Sequence, residues 1–157
     1  MNEQSFKEVF PGIKLDSRLD MYMDEVMVTG ITRVKTPEKL IVSITSTHLI
    51  SRKYIKEAEE QIRLFAYGKY TKAKVVIKER YLLSGQYDVR RLTGIYRDSF
   101  LDEMRDRSYV EYKLVKDAKL RCEDNSLIIE MSEGTLAHTK KIDIERYFRD
   151  TYLTRFG

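Results

Sequence analysis

Apolar and cationic residues alternate along much of the stretch from Lys72 to Tyr81, and this alternation constrains the fold more than any other feature of the chain. Ala73, Val75 and Ile77 fall on one side of an extended backbone. The opposite side carries four cations: Lys72, Lys74, Lys78 and Arg80. A period of two is that of a β-strand with one buried face. The sequence therefore predicts a strand over 72–81 whose second face is wet and cationic.

The segments before and after this strand have the hydrophobic spacing of helices. Before it, a helix is predicted to begin at the N-cap Ser51 and to end at Gly68. Its apolar residues are spaced three or four positions apart, as on one buried helical face: Ile55, Ala58, Ile62 and Phe65. After it, Asp88 is a suitable N-cap for a second helix with an inward row of Val89, Leu92, Tyr96, Phe100 and Met104. The chain thus alternates strand and helix around residues 72–81.

The remaining segments complete a mixed pattern. Two strands, 24–34 and 39–47, flank a turn at Thr36-Pro37-Glu38 and predict an antiparallel hairpin. A short helix from Ser108 to about Lys116 precedes a second hairpin over 118–131, in which Cys122 is expected to be a small buried residue. A final helix follows Gly134, and its expected packing residues are Leu136, Ile144, Tyr147 and Phe148.

Together these elements predict the order ββαβααββα after a short helical lead-in. In that lead-in Ser5 and Glu8 have the spacing of a capping box, and Ser17 with Asp20 can begin a second turn. Strands and helices mix without strict alternation, so we expect an α+β fold with an antiparallel or mixed sheet. The expected domains are a lead-in over 1–23 and one α+β domain over 24–157.

Composition excludes several classes of protein. The 157 residues include one cysteine, so an intramolecular disulfide is excluded. No apolar run reaches the length of a membrane span and no signal-peptide pattern opens the chain, so a cytoplasmic location without membrane contact is expected. Lys and Arg total 29 against 25 Asp and Glu, a net charge of +4 that by itself is a weak signal for nucleic acid.

The residue patterns of common catalytic sites are missing from the sequence. The glycines are scattered and form neither a P-loop nor a dinucleotide fingerprint. His48 and His138 each lack a second ligand at metal-binding spacing, and Ser84-Gly85 lacks the frame of a nucleophile elbow. No Asp-x-Asp element for a two-metal centre occurs. The sequence therefore predicts a non-catalytic chain with no metal and no cofactor.

Cations and tyrosines intermingle over residues 69–97. If the outer face of strand 72–81 adjoins the start of the following helix, five cations form a basic patch: Lys74, Lys78, Arg80, Arg90 and Arg91. Such a patch is able to follow a phosphate backbone or to meet an acidic protein. The alternative is that these long side chains only keep a sheet face soluble. The sequence leaves both interpretations open.

Four parts of the chain carry a family resemblance. They are Ser46-Thr47-His48-Leu49-Ile50, the helix with Ile55, Glu59 and Ile62, the segment from Val75 to Tyr87, and the closing Tyr147-Phe148 to Arg155-Phe156-Gly157. Together with the opening Phe6 to Leu15 they resemble the N-terminal region of PolC-type DNA polymerase III alpha subunits, the replicative polymerases of Gram-positive bacteria. The resemblance covers essentially the whole chain, and the Ile77 to Tyr87 block is its most specific part.

The resemblance implies that this chain is the non-catalytic front end of a DNA-directed DNA polymerase whose OB-fold, exonuclease, PHP and polymerase modules follow Gly157. It implies a KH-like fold, similar to the polymerase-binding C-terminal domain of the clamp-loader tau subunit, and contacts with other proteins of the replisome. No catalytic residue is implied in this region. A nucleic-acid-binding module that uses the basic patch is the rival hypothesis.

The Ile77 to Tyr87 block is open to two interpretations. In the first it is architectural: Arg80 and Tyr81 end a strand, Ser84 and Gly85 turn the chain, and Gln86 and Tyr87 hold the loop against the helix that Asp88 caps. In the second Arg80, Gln86 and Tyr87 bind a partner.

Overall fold

A computed structural model describes residues 3–157 as two compact units. The first unit contains the chain as far as Leu82 together with the closing Thr154–Gly157, and the second contains Leu83–Leu153. The second unit is therefore inserted into the first. This boundary at Leu82 was not anticipated from the sequence, whereas the expected division into 1–23 and 24–157 stays a prediction.

The first unit is a four-stranded sheet with helices. Its elements are β1 (Gln4–Ser5), α1 (Phe6–Val9), α2 (Ser17–Met23), β2 (Met27–Val34), β3 (Lys39–Ser46), α3 (Arg52–Tyr67) and β4 (Lys74–Tyr81). The strands lie in the order β1-β2-β3-β4. β2 pairs antiparallel with β1 and β3, whereas β3 and β4 are parallel because α3 carries the chain back between them. The predicted hairpin and mixed sheet are confirmed.

Helix α3 contributes the core residues predicted for it, with one exception. Ile55, Ala58 and Ile62 are fully buried, as are Val42 and Ile44 of β3. Phe65, expected in the same row, is 50% exposed and meets Phe10 only edge to face. Phe65 lies in the last turn of α3, three residues before the stop at Gly68. Gly68, with φ of +75°, ends α3 as predicted.

The lead-in follows the predicted capping chemistry in part. Ser5 and Glu8 form a capping box at the start of α1. The N-cap of α2 is Asp16, one residue before the predicted Ser17. The Asp16 carboxylate accepts hydrogen bonds from the backbone N–H groups of Arg18 and Leu19.

The second unit packs three helices with a hairpin. Its elements are α4 (Val89–Arg107), α5 (Tyr109–Lys116), β5 (Lys119–Glu123), β6 (Ser126–Glu130) and α6 (Thr135–Thr151), after which a π-helical turn (Tyr152–Phe156) leads out of the unit. The predicted caps at Asp88 and Ser108 are present. After the lead-in the element order is ββαβααββα, as predicted, and the fold is α+β. The KH-like resemblance stays a prediction.

An aromatic cluster forms the core of the second unit. Tyr96 and Phe100 of α4 are buried, and so are Tyr147 and Phe148 of α6. The Phe100 ring lies 5.1 Å from the Tyr96 ring and 5.3 Å from the Phe148 ring, centroid to centroid, in edge-to-face contacts. These core residues were predicted.

Two expectations for the second unit were wrong. Leu136 is 61% exposed because the next residue, Ala137, takes the buried position in the first turn of α6, on the same face as Ile144 and Phe148. Cys122 is only half-buried. Its strand, β5, belongs to a two-stranded sheet and has a neighbouring strand, β6, on one side only. Among residues 3–157 no helix is long and apolar enough to cross a membrane.

Candidate interaction surface and buried charge cluster

The sheet of the first unit has an uncovered face, which we call the outer sheet face. The strand register places on it Gly30, Thr32 and Val34 of β2, Lys39, Ile41, Ser43 and Thr45 of β3, and Lys74, Val76, Lys78 and Arg80 of β4. None of these residues is buried. The face therefore combines four cations, three hydroxyl side chains and a short apolar strip, and it carries no carboxylate.

Three predicted site residues lie on this face. Lys74, Lys78 and Arg80 are exposed at alternate positions of β4. Lys74 lies beside Lys39, Lys78 beside Ser43 and Arg80 beside Thr45 in the parallel register. Within residues 3–157 none of the three β4 cations has an ion-pair partner. Their charge is therefore not neutralised within the described part of this unit, and it is available to an anionic group from outside.

The other two predicted cations belong to the second unit and are engaged there. Arg90 donates from Nη2 to the Cys122 carbonyl oxygen at 3.1 Å. Arg91 donates from Nη1 to Gln86 Oε1 at 3.5 Å, and its guanidinium carbon lies 5.0 Å from the centre of the Tyr87 ring. The structure thus groups three of the five predicted cations on one strand and gives the remaining two separate contacts.

The residues of the Ile77 to Tyr87 block make architectural contacts. The Tyr81 ring is buried, stacks on Phe156 and donates its hydroxyl to the Ile50 carbonyl oxygen at 3.0 Å. Ser84 accepts from the Tyr87 backbone N–H at 3.1 Å, which closes the turn containing Gly85. The contacts of Gln86 and Tyr87 with Arg91 brace the first turn of α4. These contacts are consistent with the architectural interpretation, and both interpretations of the block stay predictions.

A buried charge cluster on the opposite side of β4 was missed by the sequence reasoning. It consists of Arg52, Glu59, Glu79 and Arg155. Both guanidinium Nη atoms of Arg52 lie 3.2 Å from the two carboxylate oxygens of Glu59. Arg52 Nη1 also lies 3.8 Å from Glu79 Oε1, and Arg155 Nη2 lies 3.6 Å from Glu79 Oε2. Residues from α3, β4 and the chain end therefore meet in one network.

Glu59 also covers the free edge of the sheet. Its Oε1 accepts a hydrogen bond at 2.9 Å from the backbone N–H of Ile77, in the middle of the edge strand β4. Because an open strand edge invites pairing with another chain, this bond protects β4 at its centre. Burial raises the pKa of Glu59, and the Arg52 guanidinium and the Ile77 N–H oppose that increase.

One sequence signal for this cluster was available. The alternation that turns Val75 and Ile77 inward also turns Glu79 inward, and its side chain is 2% exposed. A carboxylate on the buried face of a strand requires a cationic partner. The identity of the partners was not accessible, because Arg52 and Arg155 come from distant parts of the chain.

The described residues carry no metal-binding cluster. Across 3–157 no group of three or more His, Cys, Asp or Glu side chains is placed to hold an ion. His48 is occupied by local contacts, with Nδ1 3.4 Å from Glu25 Oε2 and its ring 5.6 Å from the Tyr22 ring.

No protein-family model, curated protein or solved structure matches the chain.

Proposed function

We propose that this chain is a non-catalytic N-terminal interaction domain of a PolC-type DNA polymerase III alpha subunit, and that it contacts other replisome proteins in the cytoplasm. The family assignment is supported by the sequence resemblance. The interaction role is supported by one structural observation, the outer sheet face, where Lys74, Lys78 and Arg80 are exposed on β4 and have no ion-pair partner among residues 3–157. DNA synthesis in the parent enzyme then belongs to other modules.

The buried charge cluster is consistent with the family assignment. Glu59, Glu79, Tyr81, Arg155 and Phe156 all lie in segments that carry the resemblance, and in the first unit they contact one another or a shared neighbour. Their role is to hold α3, β4 and the chain end together. A KH-like relationship to the C-terminal domain of the tau subunit is part of the same proposal.

The proposal is tested by measuring binding of the purified chain to each replisome protein separately, by isothermal titration calorimetry. A variant with Lys74, Lys78 and Arg80 replaced by Gln is expected to bind its partner at least about tenfold more weakly, because uncovered cations steer and hold acidic partners. The matched control replaces Lys14, Lys53 and Lys69, three exposed lysines outside the outer sheet face, by Gln. Equal loss in both variants, or metal-dependent nucleotide incorporation by the chain, contradicts the proposal.

A second candidate function is binding of single-stranded DNA on the same face. The unpaired state of the three β4 cations favours it, since each is able to replace a counterion on a phosphate backbone. Fluorescence anisotropy of a labelled dT20 strand at two salt concentrations tests it. The affinity has to fall steeply as the salt concentration rises, and it has to fall when Lys74, Lys78 and Arg80 are replaced. Binding that is insensitive to salt or to these substitutions excludes this function.

A further inference from the structure

A cleft within the second unit contains two arginines whose contacts leave most of their donors open. Its volume is about 450 Å³, within the range of small-molecule sites. It is lined by Arg90, Thr93, Gly94 and Arg97 of α4 and by Leu120, Arg121, Cys122 and Glu123 of β5. The floor is therefore one helix face and the wall is one strand of the hairpin.

The charges that line this cleft are not balanced. Arg121 is neutralised, because its Nη1 lies 2.7 Å from Glu123 Oε1 and its Nη2 lies 2.5 Å from Glu130 Oε1. Arg90 and Arg97 have no carboxylate partner among residues 3–157. Two positive charges therefore remain uncompensated along one face of α4.

The two unpaired guanidinium groups are nevertheless held in position. Arg90 donates one N–H to the Cys122 carbonyl oxygen at 3.1 Å, and Arg97 donates one N–H to the Lys116 carbonyl oxygen at 3.3 Å. A guanidinium carries five N–H donors, so each keeps further donors for a ligand. Fixed, planar donor groups of this kind match the oxygens of a phosphate.

Gly94 gives an independent indication of a ligand. It lies in the interior of α4 between Arg90 and Arg97, where glycine is less favourable than any residue except proline. Apart from its chain neighbours and the adjacent backbone of α4, a Cβ at this position meets no atom of residues 3–157 within 4 Å, so packing does not explain the glycine. A bare stretch of helix on a cleft floor allows an outside group to approach the backbone closely.

We propose that this cleft binds a phosphate-bearing ligand, with the phosphate held by Arg90 and Arg97 above Gly94. The site is separate from the outer sheet face, and it does not depend on the function proposed for that face. The phosphate is either that of a free polyphosphate compound or that of a single-stranded nucleic acid, and the two sources are distinguished by the choice of probe.

Cys122 is a built-in reporter for this site, because it is the one cysteine of the chain, is half-buried and lines the cleft. The experiment measures the rate at which iodoacetamide alkylates Cys122 while inorganic tripolyphosphate or a dT10 oligonucleotide is titrated at constant ionic strength. Saturable protection by tripolyphosphate supports the proposal with a free phosphate compound as ligand. Saturable protection by dT10 alone supports it with a nucleic-acid phosphate. Protection by neither overturns it.

Two arginine substitutions distinguish binding at this cleft from a general effect of the protein's positive charge. Arg97→Gln is expected to weaken protection at least about tenfold, since a hydrogen bond to a charged group is lost. Arg146→Gln, an exposed arginine on α6, is the matched control and is expected to leave the affinity unchanged. Equal effects of the two substitutions overturn the proposal.

Gly94→Ala gives the sharpest test, because stability and binding are expected to move in opposite directions. Alanine strengthens the helix and is expected to raise the melting temperature by about 3 °C. Its methyl group also occupies the cleft floor, so protection of Cys122 is expected to weaken at least about tenfold. A Gly94→Ala protein that is more stable and binds as well as the wild type overturns the proposal.

Discussion

The guanidinium of Arg52 makes two hydrogen bonds to the carboxylate of Glu59, with Nη1 3.2 Å from Oε1 and Nη2 3.2 Å from Oε2. Both side chains belong to α3, seven positions apart, and both are largely buried, at 15% and 12% exposure. The same Glu59 accepts the backbone N–H of Ile77 on β4. One ion pair therefore fixes a helix to the edge strand whose other face carries the candidate interaction surface.

Replacing Glu59 by Ala is expected to destabilise the protein by about 3 kcal/mol, because the buried Arg52 charge loses its main partner and the Ile77 N–H loses its acceptor. Urea unfolding measures the change. Glu60→Ala is the matched control: Glu60 pairs with Arg63 at the surface of the same helix, and loss of such a pair has little effect. Similar unfolding midpoints for the two variants contradict the role assigned to Glu59.

The raised pKa of Glu59 predicts a pH dependence. Above pH 4.5, its ordinary value, the unfolded chain loses this proton before the folded protein does. The folded state then binds more protons, so the contribution of Glu59 to stability is fully present below pH 4.5 and is lost as pH rises through the raised pKa.

Glu59→Gln removes this titration while keeping an acceptor for Ile77. The difference in unfolding free energy between wild type and Glu59→Gln is therefore expected to shrink as pH rises above 4.5. Urea titrations at half-unit pH intervals measure it. A difference that grows with pH shows that the Arg52 guanidinium outweighs burial and that the pKa of Glu59 is lowered instead.

The hydroxyl of Tyr81 is expected to stabilise the first unit. Tyr81→Phe leaves the ring stacked on Phe156 but removes the hydrogen bond to the Ile50 carbonyl, at a cost of about 1 to 2 kcal/mol for a buried acceptor left unpaired. Tyr70→Phe removes a hydroxyl from a side chain that is 96% exposed and is the control. If both variants melt at the wild-type temperature, the Tyr81 bond contributes nothing.

Local patterns were sufficient to predict the elements of this fold. Period-two alternation located β4, and caps such as Asp88 together with stops such as Gly68 located the helix ends, because these signals act within a few residues. Phe65 and Leu136 were misassigned for the opposite reason. Whether Phe65 is covered, and whether Leu136 or its neighbour Ala137 is the buried residue, depends on what packs against each helix, and that is a tertiary property.

The candidate sites were predictable to different degrees. Lys74, Lys78 and Arg80 share one face of one strand, so the alternation was enough to group them. Arg90 and Arg91 are adjacent in sequence, yet they make different contacts because successive helical residues point about 100° apart. The buried charge cluster and the Arg90–Arg97 cleft combine distant segments. The alternation of β4 indicates that Glu79 points inward, but the sequence contains no local signal for its partners or for the cleft.

The aromatic cluster of the second unit is expected to dominate its stability. Phe100 contacts four aromatic rings, those of Tyr96, Tyr147, Phe148 and Tyr152, with centroids between 5.1 and 6.5 Å away. Phe100→Ala is therefore expected to cost about 3 to 5 kcal/mol, since it removes buried area and leaves a cavity among rigid rings. Ile95→Ala on the same helix is the control, because Ile95 is 56% exposed. The measurement is the urea midpoint followed by tyrosine fluorescence. A larger shift for Ile95→Ala than for Phe100→Ala contradicts the burial of the α4 face that carries Phe100.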